Sequence, residues 1–215
     1  MKLLIKNVYI PGKDGKAVKA KNIEITGNRI SAFPKHPDVS QYDQIIEGKG
    51  KLALPGLVNT HTHVAMTLFR SYADDMELMD WLQNKIWPAE NRLNDDIVYW
   101  GSTLAFAEMI RGGTTSFCDM YMFMNSCAKA AAQAGIRGNI AGLAGVSPNA
   151  QSALQENIDL FEQWDGACDG RIRVMLGPHA PYTCPPDYLK QVRDAAITHH
   201  IPIHIHLAET RTEVE

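Results

Sequence analysis

Leu52-Ala53-Leu54-Pro55-Gly56-Leu57-Val58-Asn59-Thr60-His61-Thr62-His63 decides how this chain is read. An apolar run ends in two imidazoles two residues apart. On a β-strand, residues i and i+2 face the same side, so both rings can reach one point just past the strand end. A borderline divalent metal such as Zn²⁺ or Fe²⁺ suits neutral imidazoles gathered in that way. A second cluster, His204-Ile205-His206-Leu207-Ala208-Glu209, offers a further imidazole and a carboxylate in a similar setting. Metal ligands at the C-terminal ends of parallel strands are the arrangement of barrel enzymes.

Downstream of His63 the sequence alternates between strand and helix patterns. Asn94 is an N-cap, Asp95 and Asp96 favour the helix dipole, and Ile97, Trp100, Leu104 and Ala107 recur at helical spacing up to Arg111-Gly112-Gly113. Thr114 to Met120, Arg137 to Gly145, Arg171 to Gly177 and Ile201 to Leu207 read as further strands. Ser126 to Ala134, Ala153 to Trp164 and Asp187 to His200 read as the helices between them. Such alternation implies parallel pairing through βαβ crossovers. With the Leu52 strand this makes about five βα units, whereas a closed (β/α)₈ barrel needs eight and about 250 residues. The expectation is therefore either an open five-stranded α/β sheet or, in preference, the N-terminal part of a barrel, incomplete in these 215 residues, over residues 52–215.

Upstream, residues 1–51 read as a separate β region. Leu3 to Ile10, Asn22 to Thr26 and Arg29 to Phe33 are strands. Pro11 to Lys16 is a turn, and Gly27-Asn28 is a two-residue hairpin connection. Phe33 to Tyr42 is polar and carries proline, hence loop. Composition narrows the function classes. Formal charge is −3, so no basic footprint argues for nucleic acid. No apolar run approaches the ~18 residues of a spanning helix. Cys118, Cys127, Cys168 and Cys184 lack CxxC spacing and read as free thiols, which gives a cytoplasmic expectation. Self-association into a homo-oligomer stays open.

The chemistry-bearing candidates follow from these positions. His61, His63 and His206 are the metal ligands, and three neutral imidazoles leave a catalytic ion an open position. Only one of His204 and His206 need bind metal, and His206 is nearer the strand end. His204 is left between a supporting and a merely packed role. Glu209, three residues beyond His206, can carry a proton between water and a leaving group. His179 closes the fourth strand and can contact a substrate heteroatom. The aromatic, amphipathic segment 70–92 reads as a lid in which Trp87 stacks on a ring and Glu90 accepts bonds from hydroxyls, although each Trp suits helix packing as well. Asp119 is left unassigned. Tyr121 to Met124 either wall an apolar pocket or fill core, and Cys184 reads as inert. No lysine stands near the fourth strand end, so one metal is the simpler reading than two.

At these residues the chain resembles the amidohydrolase superfamily. The carriers are Leu54-Pro55-Gly56-Leu57-Val58-Asn59-Thr60-His61-Thr62-His63, Gly177 to Cys184, His204 to Thr210, and Trp81-Leu82 with Trp87-Pro88-Ala89-Glu90. The last three resemble the 5-methylthioadenosine/S-adenosylhomocysteine deaminase branch and its aminohydrolase relatives. The resemblance implies a (β/α)₈ barrel plus a small β-sandwich, of which residues 1–51 would be the N-terminal share. It implies one divalent metal, zinc before iron, on His61, His63 and His206. Glu209 would handle protons at the purine ring, Glu90 would bind ribose hydroxyls, and His179 and Trp87 would contact a nucleoside-like substrate. Hydrolytic deamination with water would follow; guanine or a chlorinated triazine is the alternative substrate, and a non-catalytic metal-binding chain is the alternative role. The family also uses a His after the sixth strand and an Asp after the eighth, so this chain alone is expected to be inactive. Gly142 and Leu154 stand where arginines are expected in some of these deaminases.

Overall fold

A computed structural model describes residues 1–12, 18–145 and 150–215. The chain divides into two compact units, Met1–Pro55 and Gly56–Glu215. The first holds a four-stranded sheet of order β3-β2-β1-β4, with β1 Lys2–Pro11, β2 Val18–Thr26, β3 Arg29–Ala32 and β4 Gln44–Glu47. Gly27, at φ +60, turns β2 into β3, as the hairpin reading requires. Within the Pro11–Lys16 turn read from sequence, Lys13 to Lys16 lie outside the described residues. Strand β4, parallel to β1, was not foreseen: Gln44 to Glu47 are all exposed and present no alternation to read.

In the second unit four parallel strands stand in the order β5-β6-β7-β8: Leu57–Thr62, Thr114–Tyr121, Arg137–Ala144 and Ile172–Pro178. Between β5 and β6 run a 3₁₀ segment Val64–Phe69, the short helices α1 Leu78–Trp81 and α2 Trp87–Glu90 joined by a π turn Leu82–Ile86, and α3 Asp95–Arg111. Helix α4 Met124–Ala134 joins β6 to β7. Helices α5 Ala150–Trp164 and α6 Ala167–Gly170 join β7 to β8, and α7 Pro186–His199 and α8 Arg211–Val214 follow. This is the N-terminal part of a parallel α/β barrel of the kind the spacing implies. Unbroken apolar runs fit strands covered on both faces: Ile140, Ile172, Val174 and Leu176 are all essentially inaccessible.

Three expectations need correction. The strand expected from Leu52 starts only at Leu57; Leu52 pairs instead with Tyr9 in the first unit, and Pro55 has no N–H to carry a ladder through. The strand expected over Ile201–Leu207 makes one bridge, Ile203 to Leu176. Leu176 N donates to Pro202 O and His204 N to Leu176 O, but the next donor in that parallel ladder falls on Pro178, which has none. Helix α3 forms as expected, capped by Asn94 Oδ1, which accepts from Ile97 N at 2.9 Å. Its buried face is however Val98, Gly101, Ser102, Ala105 and Phe106, while Trp100 and Leu104 face solvent. The small residues set this face, because the helix packs close to the 3₁₀ segment. A Cβ on Gly101 would come within 3.0 Å of Ala65 O.

Phe106 from α3 and Phe117 from β6, both essentially inaccessible, meet at a tilt with centroids 4.7 Å apart within the larger core cluster. Phe106→Ala is expected to cost about 3–5 kcal/mol, and Asn94→Ala, which removes only a cap, about 1 kcal/mol. Urea unfolding of the two variants measures the ratio; equal losses would mean that Phe106 is not packed into this core.

Candidate metal centre

His61 lies near the end of β5 and His63 just past it, where the chain leaves extended geometry (φ −124°, ψ 80°) and enters the 3₁₀ segment. Their rings stand edge-on, centroids 5.1 Å apart. His206 arrives from the segment beside β8, held by its backbone N–H donating to His179 O at 2.9 Å. One nitrogen from each of His61, His63 and His206 lies within 4.8 Å of the others. Nε2 of His61 and Nε2 of His206 are 3.2 Å apart. Two imidazoles on a tetrahedral zinc, at about 2.0–2.1 Å each, would be about 3.3–3.4 Å apart.

Protons are placed to suit such an ion. Nδ1 of His63 bonds to Met120 O, and Nδ1 of His206 bonds to His179 O at 2.8 Å. A carbonyl only accepts, so both rings carry their proton on Nδ1 and keep an Nε2 lone pair for a metal. Burial pushes the His63 imidazole down to about 4, against the raising effect of the Met120 bond. It also lowers His61 and His204, each with help from neighbouring histidines. Neutral imidazole is the ligand form, so the donor set fits a divalent cation.

A cavity of about 660 Å³ opens beside this cluster, and Trp87, Glu90, His179 and Glu209 line it together with His63 and His206. The lid segment delivers two of them: Trp87 begins α2 and Glu90 ends it. The Tyr121 hydroxyl donates to Glu90 Oε1 at 2.7 Å. Burial raises the Glu90 carboxyl, and the Tyr121 bond pulls it back. The Thr183 hydroxyl donates to Ala180 O at 3.2 Å and therefore accepts from His179 Nδ1 at 2.8 Å. That leaves His179 Nε2 as an acceptor, and burial holds this ring down to about 4. Ala208, in left-handed geometry at φ 56°, turns the chain between His206 and Glu209. The Tyr182 hydroxyl donates to Glu209 Oε2 at 2.8 Å, and no hydrogen bond among the described residues engages Oε1. Tyr121 and Met122 wall the cavity, whereas Met124 is buried core. Cys184 is fully buried against Ala144 O.

Sequence reasoning missed Asp119. The side chain is fully buried at the end of β6; Oδ1 accepts from Val64 N at 3.0 Å and Oδ2 from the Cys127 thiol at 3.5 Å. It thus clamps the residue after His63, while the next residue, Met120, holds the His63 ring. Its signal was an acid closing an otherwise apolar strand, too common to stand out. His204 does not join the three-nitrogen cluster but stands behind His61, its Nε2 3.1 Å from His61 Nδ1.

Comparison with known proteins gives the family. The model of the amidohydrolase family matches residues 52–215. The chain belongs to that family. The 5-methylthioadenosine/S-adenosylhomocysteine deaminase of Dictyoglomus turgidum is 48% identical over 216 residues, covering 100% of this chain and 50% of that protein. The protein of the same name from Dictyoglomus thermophilum is 51% identical over 216 residues, with the same coverage of 100% and 50%. An adenosine deaminase from Xanthomonas campestris, solved with bound zinc, superposes with a TM-score of 0.88 at 33% identity, over 99% of this chain and 50% of that one. The chain spans about half the length of the curated relatives it matches.

Burial raises Asp119 from 3.8 to about 7, against the lowering effect of its hydrogen bonds. Between these values the folded chain keeps a proton that the unfolded chain has lost. Its contribution is therefore present in full below about pH 4 and lost as pH rises toward 7. The depressed His63 and His179 act oppositely: their contribution is full above 6.5 and lost as pH falls toward about 4. The stability of the metal-free chain minus that of Asp119→Asn isolates the carboxyl. Urea midpoints from pH 4 to 7 should show this difference shrinking as pH rises, and a constant difference would mean that Asp119 is ionised throughout.

Proposed function

We propose that this chain carries the N-terminal share of the active site of a metal-dependent hydrolase that deaminates an adenosine thioether, 5-methylthioadenosine or S-adenosylhomocysteine, to its inosine product and ammonia. The observation that carries the reading is a cluster of three imidazoles, His61, His63 and His206, two of which, His63 and His206, line one cavity with Glu209, Glu90 and His179. The substrate class rests on the names of the relatives. His61, His63 and His206 would hold one divalent ion, zinc in preference to iron, on the precedent of the zinc-bound relative. When bound, such an ion supplies Lewis acidity and makes water acidic enough to act as a nucleophile near neutral pH.

The protein's own groups do the rest. A bond forms between the water oxygen and the purine carbon bearing the amine, the C–N bond breaks, and ammonia leaves. Glu209 moves the proton through Oε1, because Oε2 is occupied by Tyr182. Glu90 offers Oε2 to the ribose hydroxyls, because Oε1 is held by Tyr121. His179 accepts a hydrogen bond from the substrate, and the Trp87 ring walls the apolar side against water. We read residues 1–51 as the N-terminal share of a small β-sandwich and residues 52–215 as the barrel portion. Among the described residues no helix is long and apolar enough to cross a membrane; we assign the cytoplasm, on four free cysteines.

The test is zinc stoichiometry and adenosine-band absorbance on the chain alone and co-expressed with the C-terminal half of the Dictyoglomus turgidum relative. The complemented chain should turn over 5-methylthioadenosine and release ammonia. Glu209→Gln should keep zinc and lose about 10²–10⁴-fold in rate, whereas His61→Ala or His206→Ala should lose stoichiometric zinc. Full zinc in both His variants would refute the ligand assignment, and a silent adenosine-thioether panel with zinc bound would refute the substrate.

A further inference from the structure

His63 and His206 have their Nδ1 protons placed by backbone carbonyls, of Met120 and His179. Among the described residues no carbonyl meets the Nδ1 of His61. Its Nδ1 faces His204 Nε2 at 3.1 Å, and His204 Nδ1 faces Cys118 Sγ at 3.4 Å. We propose that His204, backed by the Cys118 thiol, is the positioning residue that sets the tautomer and ring angle of His61. This rests on the reading of His61 as a metal ligand through Nε2.

The direction of the relay follows from atom balance. His206 can bind a cation only through Nε2, because a carbonyl holds the proton on its Nδ1. His61 Nε2 lies 3.2 Å from that Nε2, and for both to bind one cation His61 Nε2 must also be bare. The proton of His61 is then on Nδ1 and needs an acceptor. His204 Nε2 is placed to be that acceptor, so the His204 proton sits on Nδ1 and points at Cys118, whose sulfur accepts weakly. The opposite direction, thiol to His204 to His61, would leave a proton on His61 Nε2 and close it to a metal. Geometry supports a positioning role for His204. Its ring crosses that of His61 near perpendicular, with centroids 5.2 Å apart. Its backbone is anchored by His204 N donating to Leu176 O at 2.9 Å. The pair bridges the end of β5 and the segment beside β8, between which the described residues show no strand pairing.

Outer partners of metal-bound histidines change metal affinity about 10–100-fold when removed. His204→Leu, which keeps bulk but accepts nothing, should weaken zinc binding by that factor in a chelator competition. It should also alter the visible spectrum of the Co²⁺-loaded chain, which reports ligand geometry. His204→Gln, whose amide oxygen can accept from Nδ1–H, should recover most of the affinity and the spectrum. An unchanged zinc affinity and cobalt spectrum in His204→Leu would overturn the proposal. So would a Gln variant no better than Leu while both fold. Should the Leu variant not fold, the unmutated zinc-loaded chain decides. Imidazole ¹⁵N spectra should show His204 protonated on Nδ1 and an N–N coupling across the hydrogen bond from His61. His204 protonated on Nε2 would overturn the proposal. An unmutated chain that binds no zinc would instead sink the metal reading and this inference with it.

Discussion

Two backbone carbonyls carry the site. Met120 O at the end of β6 and His179 O just past β8 each take the Nδ1 proton of a histidine from elsewhere in the chain. An imidazole is a useful ligand only if the correct nitrogen is bare and the ring cannot swing. A strand end supplies both requirements at once: the carbonyl is fixed by the sheet, and it can only accept. The register β5-β6-β7-β8 thus reaches the chemistry directly, because shifting β6 by one residue against β5 would put a different carbonyl opposite His63. Asp119 reinforces this dependence, since it ties Val64 N to the same strand end that holds the His63 ring.

Burial sets the charge state of the site as firmly as hydrogen bonds set its geometry. It lowers His61, His63, His179 and His204 and raises Glu90 and Asp119. Each shift favours the neutral form, the usual effect of removing groups from water. For the histidines that is the form that binds a cation. For the carboxyls a cation nearby would reverse the direction, because its own charge is the largest local term. Glu209 is exposed, and the Tyr182 hydroxyl holds one of its oxygens.

Much of this was legible in the sequence because both clusters follow apolar runs. The period-two pair His61 and His63 at a strand end brings two rings together, and the segment after Ile203 adds His206 to them. Helix α3 was legible from Asn94, whose side-chain oxygen caps its first turn. What was not legible depends on contacts between distant residues. The inward face of α3 is set by Gly101, Ser102 and Ala105, whose small size matters only because the 3₁₀ segment packs there. Asp119 looked ordinary because its partners, Val64 and Cys127, are 55 and 8 residues away.

His204 shows the same limit in its sharpest form. Strand alternation puts His204 and His206 on one face, which makes them look interchangeable. The sheet separates them. Pro178 ends the ladder beside His204, and His206 continues to the carbonyl of His179. That step of two residues along the segment takes one ring to the three-nitrogen cluster and leaves the other behind His61. The two rings therefore part company where a proline removes a donor from the ladder.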